Sequence, residues 1–227
     1  MRKECIAILW LAALAGCRSS SSSSVADAAA SASRPKIVRP RVAASDETPL
    51  DLAQSKLALT IVKDHVTPVA ATLAFRDGAV SLDGASPTAR LSVDLDSFSS
   101  DIAIRNERVR NIFFETSAIG WETAELVFSL TKELVDRLRR DKKLTGVPLE
   151  GALKVHGHSS KLPVTVDAGY GDTGRIWVKS STPVQVKVSD LDLTDNLHRL
   201  NAICMHDSID DVVKVDVSIV FSSSAVH

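Results

Sequence analysis

The chain has 227 residues, 44% hydrophobic but only 4% aromatic, and its 27 Lys and Arg against 28 Asp and Glu leave a formal net charge of -1. Charges of both signs are interspersed, which excludes the broad basic surface that nucleic-acid binding requires. The apolar content suffices for one core of ordinary domain size.

Arg2 and Lys3 precede an apolar run from Ile6 to Leu14, and the small residues Ala15 and Gly16 lead into Cys17. This is the charged, apolar and cleavable order of a secretory signal over residues 1–16. The run falls well short of the ~20 residues that span a bilayer, and no later segment comes closer. Leu14-Ala15-Gly16-Cys17 resembles the lipobox of bacterial lipoproteins. That resemblance implies that Cys17 carries the lipid and begins the mature chain, and two or more acyl chains anchor a protein stably where one does not. Arg18, rather than Asp, follows the cysteine. By the same resemblance the expected location is the cell envelope, lipid-anchored, on the periplasmic face of the outer membrane.

With Cys5 in the signal and Cys17 acylated, Cys204 stands alone in the body of the chain. No intrachain disulfide is expected. Between Ile203 and Met205 it reads as a small buried apolar residue, with a free thiol or an intermolecular partner as the alternative.

Residues 17–48 read as a tether: a serine run at Ser19 to Ser24, alanine and serine after it, then Arg34-Pro35 and Arg39-Pro40-Arg41. Such a stretch lacks the apolar surface that offsets the entropy of ordering, and it stiffens toward its proline-containing end. The folded domain is expected over residues 49–224. Within it, apolar residues recur at every second position, the period of half-buried strands. The runs are Leu57, Leu59 and Ile61; Ala89, Leu91, Val93 and Leu95; Leu126, Phe128 and Leu130; Gly151, Leu153 and Val155; Leu162, Val164 and Val166; Val184, Val186 and Val188; and Val213 through Phe221. Asp77-Gly78, Asp83-Gly84, Thr145-Gly146, Gly169 to Gly174 and Pro183 mark turns between them. The fold class is all-β, an antiparallel sandwich or barrel.

Asn106 to Glu115 breaks the pattern, with Val109, Ile112 and Phe113 at helical spacing among charges. It predicts a short amphipathic helix between two strands, placed as a lid or plug. A second helical turn is expected near Asn196 to Ile203. Arg137 to Lys143 is a basic cluster that reads as a solvated loop between strands, able to touch anionic headgroups.

Ser97 through Phe114 resembles the signature of the YceI-like family, in which a strand ends in Ser-hydrophobic-x-Thr/Ser and is followed by Arg-Asp, Leu-Arg and paired aromatics. Arg105, Arg110, Phe113 and Phe114 match it, while Asn106 stands for the usual Asp and Val109 for Leu. Leu50-Asp51 with Ser55 looks like the family's opening motif without its Trp and His, and Gly151 to Gly157 like its Gly-x-Leu-x-Ile-x-Gly strand. The resemblance covers Leu50 to Phe221. It implies a lipocalin-like barrel of about eight strands with an apolar cavity for isoprenoid quinones, polyprenyl lipids or similar amphiphiles. Asn106 puts in doubt a polar contact at the helix start, although Asn can cap a helix.

A barrel of about eight strands has an interior just wide enough for side chains or one small ligand. The expected cavity lining is Leu59, Leu91, Val93, Leu95, Phe113, Phe114, Leu126, Phe128, Leu130, Leu153 and Val155, with Phe113 and Phe114 at the mouth. Arg105 or Arg110 would meet a headgroup, unless Asp94, Asp96 or Glu115 holds them in structural ion pairs. Inward aliphatics also fit a solid core, so a filled barrel acting as an envelope interaction or stress-associated scaffold is the alternative. No cofactor and no catalytic or metal residue is expected, and self-association, a homodimer included, stays open. His156 and His158 lie two apart on one expected strand, a spacing that could pair on a metal, but they fall on the outward face with Lys154. Cys204 with His206 is a weaker pair, and no Gly-x-Ser-x-Gly elbow exists.

Overall fold

In the computed structural model of the chain, residues 47–204 and 208–222 are described; the signal, Cys17, His206 and nearly all of the tether lie outside them. Strands are β1 (Glu47–Pro49), β2 (Lys56–Lys63), β3 (Thr67–Ser81), β4 (Thr88–Ser100), β5 (Thr123–Ser129), β6 (Lys143–Val155), β7 (His158–Tyr170), β8 (Ile176–Ser180), β9 (Val184–Lys187) and β10 (Val212–Phe221). Three helices interrupt them: α1 (Ala103–Arg108), which runs into a π turn at Val109–Phe113; α2 (Lys132–Asp141); and α3 (Thr194–Cys204), preceded by a 3-10 turn at Ser189–Leu191.

Every pairing is antiparallel, and the sheet closes on itself in the order β2, β3, β4, β5, β6, β7, β8, β10 and back to β2. Two of these positions are broken strands. β9 prolongs β8, since Val212 to Val215 of β10 pair with β9 while Ser218 to Phe221 pair with β8. β1 lies on Ala79 to Ser81 of β3, beyond the part that β2 covers, and Leu50 bridges to Phe221. The result is a closed barrel of eight strand positions with a short helix between two strands, as the alternation and the resemblance implied. β1 starts at Glu47, two residues ahead of the expected domain boundary.

Register explains the interior. Val93 faces Ala124, Leu91 faces Leu126, and Ala89 faces Phe128 across β4 and β5; Leu126 and Phe128 then meet Leu153 and Gly151 of β6. Because the side-chain period is two, these pairings send one aliphatic set inward and Arg90, Ser92, Asp94, Glu125 and Lys154 outward.

Two expected turns are strand instead. Asp77-Gly78 lies within β3, where the register shifts at Phe75 and Asp77, and Gly78 is required because a Cβ there would sit 2.9 Å from Leu91 Cδ2. Thr145-Gly146 is a bulge within β6. Gly146 adopts φ +62 and its N–H donates to Asp167 Oδ1 at 2.8 Å, while Ser181 Oγ donates to the same oxygen at 2.8 Å. Those two bonds, the backbone one first, hold the Asp167 carboxyl below its ordinary range. A depressed carboxyl stabilises the fold above that range and loses its effect as pH falls through the lowered value. Asp167→Asn is therefore expected to be less stable than the parent at neutral pH, with the gap closing below about pH 4 in denaturation curves taken across pH.

The basic cluster expected as a loop is instead the helix α2. Thr131 accepts the Leu134 N–H at 3.2 Å as its N-cap, and Lys142 ends it at φ +61. Val135 and Leu138 are buried while the arginines face outward. Helix formation wins over a loop because the apolar face seals one end of the barrel. Thr131→Ala is expected to cost about 1 kcal/mol in chemical denaturation, the usual worth of an N-cap.

Connections alternate between the two ends. The β2–β3 turn, residues 101–122, the β6–β7 turn and residues 188–211 lie at one end, called the upper; α2 and residues 82–87 and 171–175 lie at the lower.

Candidate ligand-binding site

The inward apolar set lines a cavity of about 260 Å³. About 10–15 Å³ of such volume holds one water, so the void has on the order of twenty water-sized positions. That is far beyond a packing defect. Among the described residues, Ser180 is the only lining residue with a polar side chain. Water gains no partners from such a wall, and the wall atoms lack the dispersion contacts that an apolar occupant would restore. The filled-barrel alternative is thus at odds with the geometry.

All eleven residues expected to line a cavity are on its wall: Leu59, Leu91, Val93, Leu95, Phe113, Phe114, Leu126, Phe128, Leu130, Leu153 and Val155. Gly151, opposite Phe128 in register, has the space above it occupied by that ring; a Cβ there would lie 2.4 Å from Phe128 Cε1. The bare glycine lets the Phe128 ring lie flat on the wall. Leu134, Val135 and Leu138 of α2 close the lower end.

At the upper end the cover is less regular. α1 begins at Ile102 with no side-chain cap, lasts six residues and passes into the π turn that presents Phe113 and Phe114. Both rings are half-buried. They meet each other edge to face at 4.9 Å, and Phe98 meets Phe114 at 6.2 Å. Polar groups from elsewhere hold the two backbone carbonyls. Asn196 Nδ2 donates to Phe113 O at 2.8 Å, and His156 Nε2 lies 2.6 Å from Phe114 O. A carbonyl only accepts, so His156 carries its proton on Nε2. Its ring stacks on Trp121, with centroids 4.4 Å apart. A short uncapped helix and a π turn are features of segments that open locally at low cost.

The expected headgroup arginines have local partners. Arg105 NH1 donates to Asp101 Oδ1 at 2.6 Å and Arg110 NH1 to the Asp96 carbonyl at 3.3 Å, so the aspartate that pairs with Arg105 is not among those anticipated. Glu115 pairs with Arg199 instead. Arg108, which the sequence did not single out, is half-buried on the same segment, and its NH1 lies 3.7 Å from Cys204 Sγ. Cys204 itself is half-buried against the main core, less enclosed than expected. Asn106 is not a cap. It lies within α1 and reaches back to β4, accepting from Ser100 N at 2.7 Å and Ser100 Oγ at 2.6 Å.

His156 and His158 do not share a strand face. His156 has φ +50 and forms the β6–β7 turn with Gly157, so the two rings part, and His158 Nε2 lies 3.5 Å from Asp192. Among the described residues no three His, Cys, Asp or Glu side chains converge as a metal group. One Ser-His-Asp relay does form: His65 Nδ1 lies 2.8 Å from Asp210 Oδ1, and His65 Nε2 lies 3.2 Å from Ser208 Oγ. Acyl transfer also needs N–H donors aimed at a developing oxyanion. Here the Ser208 N–H is turned to the Asp64 carboxylate at 3.3 Å, and the His65 side chain is 77% exposed. The relay clasps the β2–β3 turn to the start of β10.

The geometry has known counterparts. A polyisoprenoid-binding domain from Saccharophagus degradans, implicated in plant cell wall breakdown, superposes with a TM-score of 0.67 at 21% identity, covering 78% of this chain and 98% of that one. BcnA of Burkholderia cenocepacia superposes with a TM-score of 0.53 at 18% identity, covering 76% and 99%. No curated protein matches the chain. At these identities the likeness establishes the fold. The family model described as the YceI-like domain matches residues 49–221, which takes in the whole barrel with its helical cover, and the chain therefore belongs to the YceI-like family.

Proposed function

We propose that the barrel binds one long-chain apolar amphiphile of the isoprenoid class, such as a quinone or a polyprenyl lipid, for carriage or storage in the cell envelope. The observation that carries this is the cavity, large and walled by apolar side chains, with Ser180 the one polar exception among the described residues. Burying hydrocarbon there gains ~25 cal/mol for each Å² removed from water, and no chemical step is required of the protein. The S. degradans domain, described as polyisoprenoid-binding, supports the ligand class. The eleven wall residues hold the tail, Phe113 and Phe114 form the mouth, and Arg105 or Arg110 meets the headgroup by exchanging its present partner. Acylated Cys17 would keep the domain near the membrane in which such ligands dissolve.

Titration of the full chain with a dansyl-labelled prenyl alcohol tests this. The emission should shift to the blue, saturate at one probe per chain, and reverse on addition of unlabelled polyprenol. Emission that rises without saturating, or that polyprenol does not reverse, would reject the assignment.

A further inference from the structure

The two ends of the barrel differ in the apolar surface they expose. Among the described residues, the large hydrophobic side chains left open at the upper end are Ile119 (98% exposed), Val66 (78%), Ile104 (52%), Ile203 (47%), Ile102 (41%) and Trp121 (37%). Among the same described residues the lower end has Leu52 alone, and Val127 lies on the barrel side. We propose that the upper end is a bilayer-docking surface, which seats the barrel on a lipid membrane with its Phe113–Phe114 cover against the hydrocarbon.

The arrangement of the side chains selects a bilayer over a protein partner. They come from four separate segments: the β2–β3 turn, the link from β4 into α1, the stretch before β5, and the end of α3. This spreads separate apolar tips over one barrel end rather than along one element. Each tip can enter a fluid apolar phase independently, and a tryptophan among them suits the boundary between headgroup and acyl chain. Charges at the upper end are of both signs with an acidic excess: among the described residues Arg105, Arg108, Arg110 and Arg199 stand against ten Asp and Glu. Attraction to anionic lipid is thus not the driving term, and binding should be insensitive to salt.

Continuity with the cavity points to the same occupant, and this step rests on the proposed lipid-binding reading. A hydrocarbon ligand that passes between cavity and membrane through the upper end never has to cross water. The chain outside the described residues permits the orientation. Glu47 lies 30 positions after Cys17, a reach of about 100 Å when extended. The longest strand, β3 with 15 residues, spans roughly 50 Å. An anchored barrel could therefore present either end, and the apolar tips make the choice.

The test uses the full chain with Trp10→Phe, which leaves Trp121 and Trp177, on phosphatidylcholine vesicles whose acyl chains are brominated. The bromines are expected to quench the fluorescence of Trp121, and Trp121→Phe in the same chain should remove most of that quenching although Trp177 remains. A third chain with Trp10→Phe, Trp121→Phe and Leu52→Trp places an indole at the lower end and should stay unquenched. Any attachment through the N-terminal segment is common to all three, so the quenching reports which end faces the lipid. Failure to bind vesicles, quenching that survives Trp121→Phe, or equal quenching from Leu52→Trp would overturn the proposal. A prenyl probe that binds while Trp121 stays unquenched rejects the docking end alone; quenched Trp121 without saturable prenyl binding rejects the cavity assignment and leaves the docking in place.

Discussion

Ala124→Trp is expected to weaken binding of a prenyl probe at least tenfold while leaving the barrel folded. Ala124 is 5% exposed, opens β5 opposite Val93, and lies on the cavity wall beneath the upper cover. In a packed core such a change would force neighbours off their rotamers and cost about 1–3 kcal/mol or more. Here the indole has a void to enter and gains dispersion contacts with the opposite wall, so the cost in denaturation experiments should stay near the lower end of that range. The indole then occupies the path of an extended tail. Affinity for a prenyl probe should fall at least tenfold, about 1.4 kcal/mol, and Ala124→Leu should lie between parent and Trp variant. A Trp variant that unfolds would show the interior to be filled; one that binds as before would place the ligand elsewhere.

Phe98→Ala has the largest expected effect on stability. Phe98 is the most enclosed large side chain, 2% exposed, and its ring supports Phe114 from below at 6.2 Å. Deleting a buried phenylalanine costs about 3–5 kcal/mol, a large share of the 5–15 kcal/mol that holds an ordinary domain together. The denaturation midpoint should fall with little change in slope, because the surface exposed on unfolding is nearly the same. The same change removes one of the two aromatic contacts that fix Phe114, so ligand exchange should also quicken. Phe113→Ala, whose ring is half-buried, is expected to quicken exchange with a smaller loss of stability, and comparison of the two separates the gate from the core.

Much of this was legible in the sequence because the barrel is built from a strict period of two. Leu91, Val93 and Leu95 could be assigned inward by alternation alone, and they line the cavity together with most of the residues assigned in that way, Ile61 and Gly151 excepted. β3 escaped because its alternation through Ala71, Leu73 and Phe75 slips at a bulge, and because Asp77-Gly78, a common turn pair, serves there to admit Leu91 at close range. β8 is three apolar residues in a row, Ile176-Trp177-Val178, with no alternation to read. α2 was hidden by its charges: only Leu134, Val135 and Leu138 mark its buried face, and six of the seven residues from Arg137 to Lys143 are charged.

The upper cover was legible only in part. Phe113 and Phe114 stood out as an aromatic pair in a chain with six phenylalanines. The groups that hold them, Asn196 and His156, are 83 and 42 residues away in sequence. No local pattern connects such partners, since it is barrel closure that brings α3 and the β6–β7 turn to the same end. His156 was misread for a related reason: a strand period carried through residue 156 puts it beside His158, whereas the left-handed turn at His156 ends the period there.

The most direct test of a lipid-filled cavity is mass spectrometry of an organic-solvent extract from the full chain, expressed in and purified from bacteria. The extract is expected to contain a prenyl quinone, a polyprenyl lipid or another long-chain amphiphile at close to one molecule per chain, and the Ala124→Trp extract at least tenfold less. An empty extract from the parent chain, or equal lipid from parent and Ala124→Trp, would contradict a lipid-filled cavity.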